Sequence, residues 1–415
     1  DPLKNLPQVF RFYQDIGSPS CEYSRFTYSC LINCSQLDTL KYFIYTVPPF
    51  SLLLFAVGII VSVIWFKKKD YLPLLLISFF AVTILRVTLP TSSIYGGLRQ
   101  IMEFIGPMAI ITGIGAYFLR DLISKILVRL FFVKKLKQET VTLSVSLLLI
   151  LGYIPIATEM IKLHPNQNVY FNFALGGLKG AAEKDFPGYG NTYGNAYLQG
   201  VKWLNQHAQP NSKLGLVSGN MQNIPRGIIR EDISFANGYR SGYNQAGEYL
   251  MSLVVGQDQF SETFRYQYLN IYLNSIYDLK IDGVSILKIW KNDKDYVKNG
   301  VNLNETRERI KIGGDNKEII IVLDEKKNLM ALGFTFPSTE CRDRMVGTKI
   351  YVSADGNQYL QKADEINGFT EEEIRGFKAD FVYLFPGDGA EYIKITPPAN
   401  YPCKLSDIDF MVSSL

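Results

Sequence analysis

Three ionisable residues stand inside apolar runs, where each must have a reason to be. Arg99 and Glu103 are four residues apart at the head of the run Gln100–Leu119, and Arg86 lies near the end of the run Tyr71–Leu89. Charges at membrane depth are costly and usually face a cavity or one another. One reading is an arginine that snorkels to the interface and pairs with Glu103 along a helix. The other is a cationic site for a lipid phosphate, because a guanidinium offers phosphate oxygens a fork of donors. In that reading Arg99 and Arg86 bind the phosphate and Glu103 orients Arg99. A second group, His164, Tyr170 and Asn172, lies in KLHPNQNVYFNFALGGLKGAAEKD. Aromatic residues at an interface, followed by Gly-Gly, read as an anchor and a tight bend, with contact to a substrate as the alternative. No metal is expected: the two histidines, His164 and His207, and the five cysteines match no zinc-finger or ribbon spacing. No cofactor is expected either.

The elements that position these residues follow from hydropathy. The run VTLSVSLLLILGYIPIATEMI, Val141–Ile161, has the ~20 residues that a bilayer demands and carries no charge before Glu159. Upstream of it, apolar runs over Tyr42–Phe66, Tyr71–Leu89 and Gln100–Leu119 predict three further crossings, four in all. Gly113 and Gly115 allow close packing in the third. Lys67–Lys69 follow the first run, and Arg120, Lys125, Arg129, Lys134, Lys135 and Lys137 follow the third. By the positive-inside rule both loops are cytoplasmic, which places the two chain ends outside. Asp121–Phe132 alternates charge with leucine and isoleucine at helical spacing and predicts a separate amphipathic helix on the cytoplasmic surface. The net charge of +4 sits in these juxtamembrane clusters rather than on a folded face, which argues against nucleic acid as a partner.

Beyond the fourth run the chain turns polar. Residues 164–299 mix a helical stripe (Leu198, Val201, Leu204), a buried strand LGLV and a hairpin over Asp282-Gly283, and so predict an α/β domain. Residues 300–415 hold short alternating strands separated by glycine, proline and aspartate, the pattern of a β-sandwich. The expectation is thus a multi-domain chain: loop 1–40, transmembrane helices 41–163, extracytoplasmic α/β domain 164–299 and β-sandwich 300–415. With both regions outside the cytoplasm, a Cys341–Cys403 bridge is expected, with another among Cys21, Cys30 and Cys34. The first residue is Asp and no leader pattern precedes the first apolar run, so a fragment or processed piece is expected.

YGGLRQIMEFIGPMAIITGIGA resembles the segment Y-x-G-x-R-H, apolar run, P-x-A-I-x-x-G-I-G of membrane glycosyltransferases related to protein O-mannosyltransferases, the GT-C class. Gln100 replaces the usual histidine and Glu103 a usual apolar residue. HPNQNVYFNFALGGLKGA and DFPGYGNTYGNAYLQGVKWLN are similar to two later segments of the same proteins, and KYFIYTVPPFSLLLFAVGI to the helix before them. Together these cover about Lys41 to Asn205. The resemblance implies transfer of a sugar from a polyprenyl-phosphate donor to a glycan or protein acceptor outside the plasma membrane. It implies a carboxylate in the family's first extracytoplasmic loop as base; Asp1, Asp15, Glu22 and Asp38 match no part of that motif, and no catalytic residue is assigned.

In the last domain, KIYVSADGNQYLQ and AEYIKITPP resemble strands of discoidin-type, galactose-binding-like domains, with Tyr359 for the usual tryptophan and Lys394 for the usual arginine. The resemblance implies a spacer module or a glycan-binding one. The alternative to an enzyme is therefore a non-enzymatic, membrane-anchored glycan-binding or accessory protein.

Overall fold

The fold is taken from a computed structural model. It describes residues 38–66, 71–88, 97–130, 137–186, 188–192, 194–217, 224, 226–237, 245–255, 269–299, 306–310, 318–345, 347–363, 381–405 and 408–414. The loop 1–37, with Cys21, Cys30, Cys34 and the acids Asp1, Asp15 and Glu22, lies outside the described residues. Two compact units emerge: residues 1–192 with 281–284, and residues 193–280 with 285–415.

The first unit is helical. Helix α1 (Asp38–Thr46) and α2 (Pro49–Phe66) meet at an elbow of 118°. Pro48 and Pro49 cause it: neither has an N–H to continue the ladder, and each disfavours helical geometry in the residue before it. Helix α3 (Leu72–Arg86) has proline in its first turn, where the missing N–H costs nothing. A 3₁₀ segment, Gly97–Phe104, then leads into α4 (Ile105–Leu130). Helices α5 (Gln138–Leu151) and α6 (Ile154–Leu163) follow, separated only at Gly152-Tyr153.

Two helical stretches, Ile101–Arg129 and Gln138–Leu163, are long and apolar enough to cross a membrane. The bent pair α1–α2 would make a third. Helix α3 has 15 residues and reaches about 22 Å, short of the ~30 Å hydrocarbon thickness. Of the four runs expected to cross, Tyr71–Leu89 is thus the one whose described helix is the shortest. The separate surface helix expected over Asp121–Phe132 is corrected. Helix α4 runs unbroken through Asp121 to Leu130, because neither glycine nor proline stands between Leu119 and Asp121. Two of its polar contacts are made locally, Ser124 Oγ donating to the Arg120 carbonyl at 2.7 Å and Lys125 pairing with Asp121 at 2.7 Å.

Helices α2 and α4 cross backbone to backbone. A Cβ on Gly115 would lie 1.9 Å from the Leu54 carbonyl oxygen, and one on Gly58 would lie 1.9 Å from that of Ile111. Gly113, by contrast, has open space around it, so only the second of the two expected packing glycines works as one. Gly115→Ala should therefore destabilise the protein by about 1–3 kcal/mol, the cost of overpacking a closed contact. Gly113→Ala should leave it unchanged, and thermal unfolding in detergent separates the two. Around this crossing Phe43, Phe55, Phe80 and Phe104 interlock, four of the ring pairs edge to face and Phe55–Phe80 tilted, with centroids 4.7–6.3 Å apart. Leu75, Phe79, Leu143, Leu148 and Ile150 remain exposed on the outside, an apolar surface suited to lipid.

Residues 164–192, expected to open the α/β domain, belong instead with the helices. Here α7 (Gly177–Glu183) opens on Gly177 directly after Gly176, both at positive φ, which L side chains rarely adopt. Phe186 is the hub, its ring 4.9 Å from Tyr42, 5.8 Å from Tyr45 and 5.3 Å from Phe171.

The second unit contains two sheets. Helix α8 (Asn195–His207) accompanies strands β1 (Lys213–Leu216), β2 (Ser234–Asn237), β3 (Glu248–Leu253), β4 (Ser275–Ile281) and β5 (Val284–Lys291). Their order is β2-β1-β3-β5-β4, with β1 parallel to β2 and β3, and β3 antiparallel to β5. Mixed pairing of this kind agrees with the α/β expectation. Asp282 (φ 50°) and Gly283 (φ 80°) turn the β4–β5 hairpin, as the Asp-Gly pair predicts.

The C-terminal strands are β6 (Thr306–Ile310), β7 (Ile319–Thr335), β8 (Lys349–Ser353), β9 (Leu360–Ala363), β10 (Phe381–Thr396) and β11 (Asp409–Ser414). They form one antiparallel ladder, β6-β11-β7-β10-β8-β9, where the sequence leads one to expect two separate sheets. The long strands β7 and β10 carry the ladder through register shifts near Leu384–Asp388 and Ala390–Tyr392. Ile319 and Ile321 from one end of β7 and Leu332 and Phe334 from the other consequently share one core with Ile350, Ile393 and Phe410. Cys341 and Cys403 are bridged, with Cα atoms 5.7 Å apart, inside the ordinary range for a disulfide.

Candidate functional site

The candidate phosphate-binding residues come to one end of the helical unit. Arg86 is the last residue of α3 and is exposed. Arg99 and Glu103 lie on the 3₁₀ segment Gly97–Phe104, whose backbone is non-helical at Ile101 (φ −125°, ψ 27°). Ile84, Val87, Leu98, Ile101 and Phe104 share one apolar cluster and so hold the end of α3 against that segment. Phe43 of α1 packs on Phe104 at 5.5 Å and brings α1 to the same place.

Arg99 and Glu103 lie on either side of the break at Ile101, so the continuous α-helical turn that an i,i+4 pair uses is interrupted there. Glu103 is exposed.

The junction residues have distinct fates. His164 is exposed after α6, its Nδ1 2.9 Å from Gln167 Nε2. Tyr170 is half-buried, and burial, reinforced by the negative charge of Glu159, raises its phenol pKa above the ordinary value. Asn172 is only 2% exposed and completes the proline elbow. Its Nδ2 donates to the carbonyls of Ile44 (2.7 Å) and Val47 (2.8 Å), and its backbone N–H donates to that of Tyr45 (2.8 Å). In an uninterrupted helix the amides of residues 48 and 49 would bond the Ile44 and Tyr45 carbonyls, and prolines occupy both positions. Asn172 thus supplies from 125 residues away the donors that Pro48 and Pro49 lack. Its Oδ1 accepts from the Ala174 N–H at 3.0 Å, which fixes which end of the amide faces the elbow. Both donors of the Asn172 amide are thus committed to the elbow.

Sequence reasoning misses Arg230. Its guanidinium donates to the carbonyls of Asn205 (2.8 Å), Ala208 (2.9 Å) and Gln209 (3.0 Å), closing the C-terminus of α8, while Asp232 accepts from its Nε. The bond from Arg230 holds the Asp232 carboxyl at about 2, well below the ordinary carboxylate range. A basic residue near a helix end is a usable signal only when adjacent in sequence, and Arg230 is 23 residues beyond the end of α8. The segment around Asp355 is a turn: Asp355 Oδ1 accepts from the N–H groups of Asn357 (2.9 Å) and Gln358 (3.0 Å), and Ser353 Oγ accepts from that of Gly356 (3.0 Å). Among the described residues no group of three or more His, Cys, Asp or Glu could hold a metal ion.

No family model, curated protein or solved structure matches this chain.

Proposed function

We propose that this chain is the C-terminal portion of an integral-membrane glycosyltransferase of the GT-C type. It would move a sugar from a polyprenyl-phosphate donor to a glycan or protein acceptor on the extracytoplasmic face of the plasma membrane. One observation carries the reading. Most of the sequence that resembles such enzymes, drawn from segments far apart in the chain, packs together in the helical unit. The α1–α2 elbow is bonded by Asn172 of the junction, and the Arg99 segment leans on Phe43 of the elbow. Segments brought together in this way are the kind that would form a common site.

Within this reading Arg99 and Arg86 hold the donor phosphate. Charge accumulating on the leaving phosphate is stabilised by fixed cations at the edge of a low-dielectric medium. Glu103, exposed on the same 3₁₀ segment, sets the local charge balance. No residue of this chain is assigned as base on the acceptor. Four crossings, the outward orientation of residues 164–415 and a discoidin-like sandwich in 300–415 belong to the same proposal. It rests on the lysine and arginine asymmetry of the loops and on the strand resemblance.

Transfer by the full-length protein with a polyprenyl-phosphate sugar tests the reading. Arg99→Ala should lower the rate by about 100-fold, the typical effect of removing one charge-stabilising donor. Arg99→Lys should recover part of it, since a point charge lacks the fork. Transfer unchanged by the alanine variant, in protein that still folds, would end the assignment.

A further inference from the structure

Helix α4 carries no charge from Ile105 to Leu119, and Arg120 is the first that it meets. The apolar stretch that contains it begins at Ile101. A short 3₁₀ rise to Phe104 and the α rise from Ile105 together put Arg120 about 30 Å further along, the thickness of a bilayer's hydrocarbon layer. Read as a span, α4 thus brings this guanidinium to the level where acyl chains give way to headgroups. Tyr117 lies one turn before it, and Arg120 Cζ stands 4.3 Å from the centre of that ring. Arginine over an exposed tyrosine is a pairing suited to the membrane interface.

Helix α4 gives this charge an aromatic face but no counter-ion. Its one acid, Asp121, is paired with Lys125 at 2.7 Å. Ser124 commits its hydroxyl proton to the Arg120 carbonyl. Residues 131–137 add three lysines and no acid. The Arg120 Nε is enclosed and has no hydrogen-bond partner among the described residues, so the inner part of the side chain is packed in place. Arg120 as a whole is only half-buried, and its two Nη groups are not enclosed in that way. They are the donors that an outside anion can reach. A cation held at the edge of the hydrocarbon layer is costly until an anion or water meets it.

The helix face beside Arg120 points to what that anion is attached to. Ile110 and Tyr117 are 53% and 56% exposed, and nothing lies within 4 Å of a Cβ placed on Gly113. These residues follow one another at three- and four-residue spacing, so they share one stripe of α4 with Arg120. An open apolar stripe that ends on a cation matches an amphiphile, with its acyl chain along the stripe and its anionic group at the end. A soluble anion would leave the stripe unused. We propose that Arg120 binds the phosphate of an anionic phospholipid. The guanidinium fork takes two phosphate oxygens, and the lysines of residues 131–137 favour a lipid of net negative charge. The site is at the far end of the span from Arg99, so it is independent of the donor-phosphate reading and needs only that α4 crosses the bilayer.

The test is thermal unfolding of the delipidated full chain in maltoside detergent, with each variant compared with its own lipid-free midpoint. Four additives are used: phosphatidylglycerol, phosphatidylcholine and diacylglycerol with the same acyl chains, and inorganic phosphate. A ligand that binds only the folded protein raises the midpoint. Phosphatidylglycerol should raise it by several degrees and phosphatidylcholine by clearly less, while diacylglycerol and inorganic phosphate should leave it where it was. Arg120→Gln should abolish the rise. Arg129→Gln, at an exposed position near the end of α4, should keep it in full, and so should Arg99→Ala. No rise with phosphatidylglycerol would overturn the proposal, as would an equal rise with any of the other three additives. A rise that survives in Arg120→Gln would do the same. Loss of the rise in Arg99→Ala would place the phosphate at the donor site instead, and its loss in Arg129→Gln would show unspecific attraction to the basic end of the helix.

Discussion

Asn172→Ala is expected to destabilise the helical unit by about 3–4 kcal/mol. The substitution strips the elbow carbonyls of Ile44 and Val47 of their side-chain donor. Each buried carbonyl left without a partner costs about 1–3 kcal/mol. Neighbouring amides cannot compensate, because positions 48 and 49 are both proline. Asn172→Asp sharpens the test. At neutral pH it aims carboxylate oxygens at carbonyl oxygens, and so should be at least as damaging as alanine. In acid the protonated carboxyl regains one donor, and part of the loss should be recovered. Thermal unfolding of the purified protein in detergent, at neutral pH and near pH 4, measures both effects. An alanine variant as stable as the parent would show that water or lipid headgroups satisfy the elbow and that Asn172 is dispensable.

The second large effect is expected from the Cys341–Cys403 bridge. It closes a loop of 62 residues, and releasing a loop of that length returns to the unfolded chain entropy worth about 4 kcal/mol. The paired variant Cys341→Ser/Cys403→Ser should thus lower the unfolding midpoint of the C-terminal sheet by several degrees or more. It should also loosen the loop that carries Tyr401 and Lys404. Cys341 is itself buried in the core cluster, so a buried hydroxyl adds to the loss. Cys341→Ala/Cys403→Ala separates the two contributions, keeping the entropic term and removing the polar one. Equal stability of reduced and oxidised protein would show that the unfolded chain is already compact over this stretch.

The first effect bears on the proposed function through geometry rather than chemistry. The elbow sets the direction in which α1 presents Phe43 to the Arg99 segment. If Asn172→Ala also lowers transfer by the full-length protein, while the folded fraction is held constant, the elbow and the phosphate site are coupled. The bridge lies in the second unit, so its loss should leave transfer untouched.

Much of the architecture follows from sequence by local rules. Runs of apolar residues mark the helices, the Asp282-Gly283 pair predicts its hairpin, and the Leu198, Val201, Leu204 stripe predicts α8. Each depends on interactions within a few residues, where spacing and backbone preference suffice. Even the Cys341–Cys403 pair is legible, because few partners compete for it. What the sequence leaves open is every feature that depends on a distant partner. Proline at 48 and 49 announces a break, but not that Asn172 would bond its carbonyls. Gly113 and Gly115 look alike in a string of letters, and only the approach of α2 distinguishes the one that matters. Arg99 and Glu103 read as neighbours on one helix, and the backbone departs from helical geometry between them at Ile101. Tyr351, Tyr401, Lys349 and Lys404 share no motif, and they line one cavity because two strands and a bridged loop meet there. Local propensity is encoded within a turn or two of chain, whereas hydrogen-bond satisfaction and packing are properties of the closed fold. Tertiary structure alone could therefore decide them.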